Sequence, residues 1–486
     1  RELPEVIESS EKIKGSEAVF LCYQSFTRSS ADCLRSALKT ADGVYGIFIG
    51  GSEEIYVNEA VAAFDEAAEE FGGAEHESVG SGLIPEAEIL RKSLFNPESF
   101  YSDSLATDRV HMFEAADEEE ELEFIAASIK KLVADGGERY AKISVMLPDV
   151  AGAERELGRV FSQYRIPYYA DRRHTLSEHP VATFILDYLN CAASGCAFKD
   201  TDAVISSPLF PSENCDKDIY RNYALRLAAF RGGVKREPKI EILENLGFDF
   251  QAVQRVREKF LEGLKLIPSS GSAEKICNGV RAMLVSFGAE EKLKNLALQF
   301  KDSRPAEAEF CGRVYEAALA VLAEAQSVSG GSKTTLKEFI KILKSGFGAL
   351  EISLIPPKSD AVFVGDIAAT ANTGSDVVFA ARLTGDVPGT SSDTSLLCDR
   401  EIAALEKVNL NISPKIYQVN MRRREFTALN ICAFRKRLYL TYPVRTGGEE
   451  CPPSEIISYA ASAFKTASGA QLKPVDKRRL DKAGRA

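Results

Sequence analysis

Apolar and polar positions follow two regimes along this 486-residue chain. From residue 17 to 50 a short apolar run (AVFLCY), a helical stretch (SSADCLRSALKTA) and a second apolar run (GVYGIFIGG) succeed one another. Short runs without internal polar alternation, separated by amphipathic helices, predict a parallel sheet with crossover helices, because such strands are covered on both faces. A further helix follows (VNEAVAAFDEAAEEFG). The polar, Gly/Ser/Pro-bearing residues 72–108 then read as a connector. At Arg109 the α/β pattern restarts. VHMFEA is a strand, EEELEFIAASIKKLV a helix with Leu122, Ile125, Ile129 and Leu132 on one face, and KISVMLPD a strand ending at Pro148 and Asp149. GAERELGRVFSQY is a helix and IPYYA a short strand.

Residues 180–350 are helical almost throughout, as in VATFILDYLNCAA, KDIYRNYALRLAAF, FQAVQRVREKFLEGLK and AEFCGRVYEAALAVLAEAQ. After residue 355 the buried-type strands DAVFVGDI and DVVFAARL return. The helices REIAALEKV and MRRREFTALNICAF and the strand RLYLTYP complete the pattern. A sheet begun before residue 180 and resumed after 355 is most simply one α/β domain interrupted by a helical insertion.

Composition bounds this picture without redirecting it. The length accommodates about three domains, and 45% apolar with 27% charged residues is ordinary for a packed chain. No stretch approaches the roughly 18 uninterrupted apolar residues of a membrane span. The ten cysteines are scattered without a CxxC pair, so reduced core thiols and a cytoplasmic setting are expected rather than a disulfide framework or a closed zinc site. The chain opens on Arg1 in a charged helical segment, which reads as a fragment or a processed product without a signal peptide. Net charge is −11, but two basic stripes stand out: residues 421–437 carry six Lys/Arg against one acid, and 465–486 carry seven against two. Nucleic-acid binding depends on such local stripes rather than on total charge.

Candidate chemistry is sparse. SVSGGSKTT resembles a phosphate loop, but Ser332 rather than glycine precedes Lys333 and a helix rather than a strand leads in. Thr335 and Glu338 instead form a capping box for TLKEFIKIL. Of the four histidines, His174 and His179 flank the corner RRHTLSEHP, where turn and capping roles are expected. No HExxH motif and no Ser/His/Asp or Cys/His constellation can be assembled, so the residues themselves define no catalytic site.

The corner YAKISVMLPDVAGAERELGRVFSQYRIPYYADRRHTLSEHP is more specific. It resembles the start of the second motor lobe of UvrD-type superfamily-one DNA helicases, where a strand ending in "AVLxR" leads through a helix to "IPY". Within them IPYYADRR and SEHP are most similar to the AddB family, the B subunits of bacterial AddAB ATP-dependent helicase/deoxyribonucleases. The run LIPPKSDAVFVGDIAATANTGSDVVFAARLTGDVPG, the sixth-motif-like MRRREFTALNICAFRKRLYLTYP and CPPSEII follow in that family's order. The resemblance implies RecA-like lobes with parallel sheets. Residues 1–105 would be the remainder of the first lobe and 106–180 the first part of the second. Residues 181–352 would be the helical insertion, 353–464 the rest of the second lobe, and 465–486 a basic tail leading to a nuclease domain outside the chain.

The resemblance also implies what is lost. Pro148 stands where the "AVLxR" arginine belongs, and Ala433 and Phe434 where the sixth motif would place its arginine; Cys22 and Tyr23 replace an acidic magnesium ligand. The expectation is a motor-inactive, DNA-binding portion of a subunit that processes double-strand ends for recombination repair. ATP with magnesium and a 4Fe–4S cluster would be used only in parts outside this chain. The implied partners are an AddA-type helicase–nuclease subunit and single- and double-stranded DNA, with no membrane. DNA contact is expected at Arg172, Arg173 and His174, and at Arg422, Arg423, Arg424, Arg435, Lys436 and Arg437. An active UvrD-like helicase, or a partner-binding subunit without DNA contact, are the alternatives.

Overall fold

The computed structural model describes residues 3–21, 23, 25–49, 59–77, 79–80, 82–101, 103–226, 233–301, 305–329, 333–353, 360–372, 374–391, 397–408, 410 and 414–476. Cys22, Ser332, residues 354–357 and the end of the basic tail, 477–486, lie outside the described residues. The chain divides into two units, residues 1–171 with 358–486 and residues 172–357.

The first unit is built on a seven-stranded sheet, parallel throughout. Its spatial order is Val475–Asp476, Val110–Ala115, Arg437–Pro443, Val377–Ala380, Ile143–Leu147, Val362–Asp366 and Tyr168–Ala170. Strand period sorts each side chain to one face. Ile143, Val145 and Leu147 join Val362, Val364, Val377 and Phe379 beneath the helices Glu118–Ala134 and Val150–Gln163. Met146, Val378, Ala380, Leu438 and Leu440 point the other way, into a core with Ala428 and Ile431 of Ile416–Ile431 and with Ile456 and Ala460 of Glu455–Ala463. Covering both faces explains why these strands read as predominantly apolar runs.

One expectation is corrected. The stretch 72–108 contains the helix Pro85–Ser93, whose Ala87 and Leu90 enter the same core, with Phe95 packed edge-on to Tyr459. Its Pro at the first turn and the 87/90/94 spacing carry an ordinary helix signal that the surrounding glycines and serines obscure. At the N-terminal end, Glu17–Leu21 pairs in parallel with Gly43–Ile47 through the helix Arg28–Thr40, around Leu34 and Phe64.

The second unit is helical around one core that includes Tyr188, Phe184, Phe260, Phe287, Phe339 and Phe347. The Tyr188 hydroxyl donates to the Phe260 carbonyl at 2.9 Å, so this buried polar group is satisfied. Two short antiparallel ladders, Arg173–Thr175 with Glu351–Ser353 and Ser270–Ser272 with Lys333–Thr335, tie distant helices together. Thr335 and Glu338 form the capping box. Among the described residues no helix is long and apolar enough to cross a membrane.

Candidate functional site

Parallel strands all start at the same edge of a sheet, so the residue preceding each apolar run is delivered to a common rim. Here that rim gathers Arg109 before Val110–Ala115, Asp376 before Val377–Ala380, Lys142 before Ile143–Leu147, and Arg437 at the head of its strand. Backbone hydrogen bonds hold them side by side: Leu438 N–H donates to the Arg109 carbonyl (2.8 Å) and Asp376 N–H to the Lys142 carbonyl (2.8 Å). Arg435 joins them through its N–H to the Ser375 carbonyl at 3.2 Å, and its guanidinium lies against Gly374, a glycine with φ +80°.

Part of this charge is neutralised locally. Lys436 bridges Glu138 and Asp376, both at 2.9 Å, Arg139 faces Asp360 at 3.7 Å, and Arg109 faces Glu86 at 3.6 Å. Lys142, Arg435 and Arg437 are exposed and make no ion pair among the described residues. The Arg437 charge acts on Tyr439, on whose ring His111 stacks with centroids 4.9 Å apart. Burial and then the Arg437 charge push the His111 imidazolium pKa down, so the ring stays neutral beside the cations. A line of unpaired cations beside a half-buried aromatic stack can hold phosphates and contact a base or another planar group.

The other basic residues of 421–437 are placed differently. Arg422 reaches the carboxylate of Glu59 at 2.5 Å, with its Nε buried and unpartnered. Arg424 lies 5.4 Å from the Phe95 ring and 3.6 Å from Glu455. Arg423, half-buried, packs over Gly389 and lends its charge to Asp366, whose carboxyl pKa is raised by burial. Below this triplet Glu425 is 7% exposed and its pKa is raised to about 7, burial outweighing Arg91 and Arg422. The cations 422–424 thus belong to the packing of the helix Ile416–Ile431, and the structure does not bring them onto the rim with 435–437.

In the second unit Arg172 donates to Glu178 at 2.7 Å, and Arg173 and His174 lie in the ladder with Glu351–Ser353. His174 packs against Phe310, at 5.2 Å. His179 caps the helix Pro180–Ser194 by accepting from Val181 N–H at Nδ1 (3.2 Å), which fixes the proton on Nε2, 3.5 Å from the Cys311 sulfur. Burial lowers the His179 pKa to about 4, so it is a neutral structural group.

Pro148 ends its strand, Ala433 is half-buried in the turn after the helix, and Phe434 is 1% exposed in the core. None of the three can offer a cation to a phosphate. A second polar cluster escapes a reading of the sequence. Fully buried Glu121 accepts from Thr441 Oγ1 (2.6 Å) and Arg382 N–H (2.9 Å), while the Arg382 guanidinium spans Glu118 (3.4 Å) and Glu156 (2.6 Å). Burial raises the Glu121 pKa to about 7. Lys142 and Arg109 escape it too, although each directly precedes an apolar run, and that position is the signal that finds them.

No family model matches the chain. Curated relatives do. The B subunit of an ATP-dependent helicase/deoxyribonuclease from Clostridium botulinum (strain Loch Maree / Type A3) is 25% identical over 396 residues, covering 78% of this chain and 34% of the relative. Proteins of the same name from Clostridium novyi (strain NT) and Desulfitobacterium hafniense (strain DSM 10664 / DCB-2) are 24% and 25% identical. They cover 74% and 70% of this chain and 32% and 30% of their own lengths. The chain therefore spans about a third of the length of the curated relatives it matches. The resemblance read from the motifs and these relatives point the same way.

Proposed function

We propose that this chain is a helicase-like, non-hydrolysing portion of the B subunit of a helicase–deoxyribonuclease, and that it holds single-stranded DNA for an AddA-type partner subunit in the repair of double-strand ends. The observation that carries the DNA-binding part is the row of exposed cations without ion pairs, Lys142, Arg435 and Arg437, along the strand-starting edge of the large sheet. The names of the relatives and the ordered motifs support the assignment to a helicase–nuclease subunit. On this reading the parallel sheet is a RecA-like lobe and residues 172–357 are its helical insertion.

On this reading the residues at the positions that the helicase motifs would turn to phosphate do not fit a nucleoside triphosphate. Hydrolysis needs cationic groups where negative charge develops, and Pro148, Ala433 and Phe434 supply none. No hydrolytic step is therefore assigned to this chain, and binding is its contribution to the complex.

The test is binding of a fluorescein-labelled oligo(dT) to the purified chain by anisotropy across a salt titration. Affinity should fall linearly with the logarithm of salt, with a slope near −2 for about three phosphate contacts at roughly −0.7 each. Absence of binding at low salt, both alone and with the partner subunit, would leave a partner-binding role without DNA contact.

A further inference from the structure

Within residues 172–357 the loop 207–212 opens onto a cleft of about 780 Å³ walled by the helices Asn214–Arg226, Phe250–Leu266 and Ala289–Phe300. That volume lies in the range of small-molecule sites. Two lysines line it. Lys217 is 7% exposed and donates to the Ser207 carbonyl at 3.0 Å; Lys292 is half-buried and donates to the Leu209 carbonyl at 2.9 Å. Each ammonium has three donors, and neither makes an ion pair with a carboxylate among the described residues.

The acids nearby answer these charges only in part: Asp218 and Glu213 favour the charged form of Lys217, but burial outweighs both. Asp216 is held by Arg255 through two bonds of 2.8 and 2.9 Å, and Glu262 by Lys259 at 2.8 Å. Glu213 is exposed, and so is Glu258, which accepts from Gln254 at 2.9 Å; water screens both. The cleft therefore sets two desolvated cations deep and two carboxylates shallow. Burial lowers the pKa of both lysines, and the Lys217 charge helps push Lys292 down to about 8. Two like charges close together in a low dielectric repel, and an anion between them relieves that repulsion. Asn295 and Gln299 stand three and seven residues beyond Lys292, on the same helix face, and line the cleft with it.

The geometry points to a binding cleft for a phosphate-bearing ligand, its dianionic group seated between the Lys217 and Lys292 ammoniums with Asn295 and Gln299 as neutral partners. A dianion matches two point-charge donors, whereas a monoanion leaves one ammonium unanswered. This site is independent of the strand-edge cations, since every residue it uses lies within 172–357.

The experiment is acetylation of the purified chain by acetic anhydride, read at Lys292 by peptide mass spectrometry, at matched ionic strength with and without inorganic pyrophosphate or oligo(dT). Saturating pyrophosphate should slow Lys292 acetylation by about tenfold, as expected for an occupied site. Protection by pyrophosphate alone supports a cleft for a small phosphorylated molecule; equal protection by oligo(dT), whose phosphodiesters are monoanions, would overturn the dianion seat. Pyrophosphate binding by calorimetry should weaken about tenfold in Lys292→Met and a few-fold in Gln299→Leu. Protection of Lys292 by pyrophosphate should persist in a chain carrying Lys142→Ala, Arg435→Ala and Arg437→Ala, which separates this site from the DNA-binding proposal. Lys292 acetylation that ignores both probes in the unmodified chain, or unaltered binding by a folded Lys292→Met, overturns it.

Discussion

Two basic triplets lie close in sequence, 422–424 within the helix Ile416–Ile431 and 435–437 at the entry to the strand Arg437–Pro443, and the fold treats them in opposite ways. Arg422 and Arg424 are drawn into contact with Glu59, Phe95 and Glu455, and Arg423 packs over Gly389. Arg435 and Arg437 remain exposed, with only Lys436 between them doubly bridged. Charge density in sequence is the same for both; what differs is whether the backbone carries the side chain toward other elements or off the edge of a sheet. A half-buried, partnered cation contributes to packing and has less field to offer a ligand, while a rim cation contributes little to stability and keeps its field.

The largest effect tests the rim. The combined variant Lys142→Ala, Arg435→Ala and Arg437→Ala is expected to bind oligo(dT) about 100-fold more weakly at low salt and to lose roughly two units of salt slope. Its urea midpoint should be unchanged, and intact affinity by anisotropy would erase the distinction between the triplets. Next comes Arg422→Ala, which strands Glu59 in a half-buried position. It should cost about 2–3 kcal/mol in urea unfolding and leave DNA affinity within about twofold.

A pH experiment probes the same helix from beneath. The Glu425 pKa is raised from 4.5 to about 7 in the folded chain, so the native state holds a proton that the unfolded chain has released. The contribution of Glu425 to stability should therefore fall as pH rises between those values and stay low above them, opposite in sign to that of His179. Glu425→Gln should make this profile shallower, the remainder belonging to Glu121, and gain about 1–2 kcal/mol at pH 8 by thermal unfolding; a profile as steep as that of the unmodified chain would count against a buried proton here. The smallest effect is Gly374→Ala. A Cβ there would meet the Arg435 guanidinium at 3.2 Å on a backbone of φ +80°. About 1 kcal/mol of stability and two- to threefold in DNA affinity should be lost together, coupling the glycine to the rim.

The strands VHMFEA, KISVMLPD, DAVFVGDI, DVVFAARL and RLYLTYP are legible because a strand covered on both faces is mostly apolar, with few polar positions such as Ser144 and Thr441. The helix Pro85–Ser93 is not, since its nine residues sit among turn-forming neighbours that dominate a local reading. The site is half legible. Arg435, Lys436 and Arg437 stand out as a charge run, but Lys142 and Arg109 are single cations with nothing unusual around them.

The sequence by itself determined the alternation of apolar strands and amphipathic helices, the helical interruption and the resemblance to a helicase–nuclease subunit, because hydrophobic period and motif order are local properties. Only the tertiary structure decided which basic residues remain available. Parallel pairing brings positions 109, 142 and 437 to one edge while helix packing turns 422 and 424 toward Glu59 and Phe95. Whether a cation faces solvent or a partner depends on elements far away in the chain, and no window of sequence contains them.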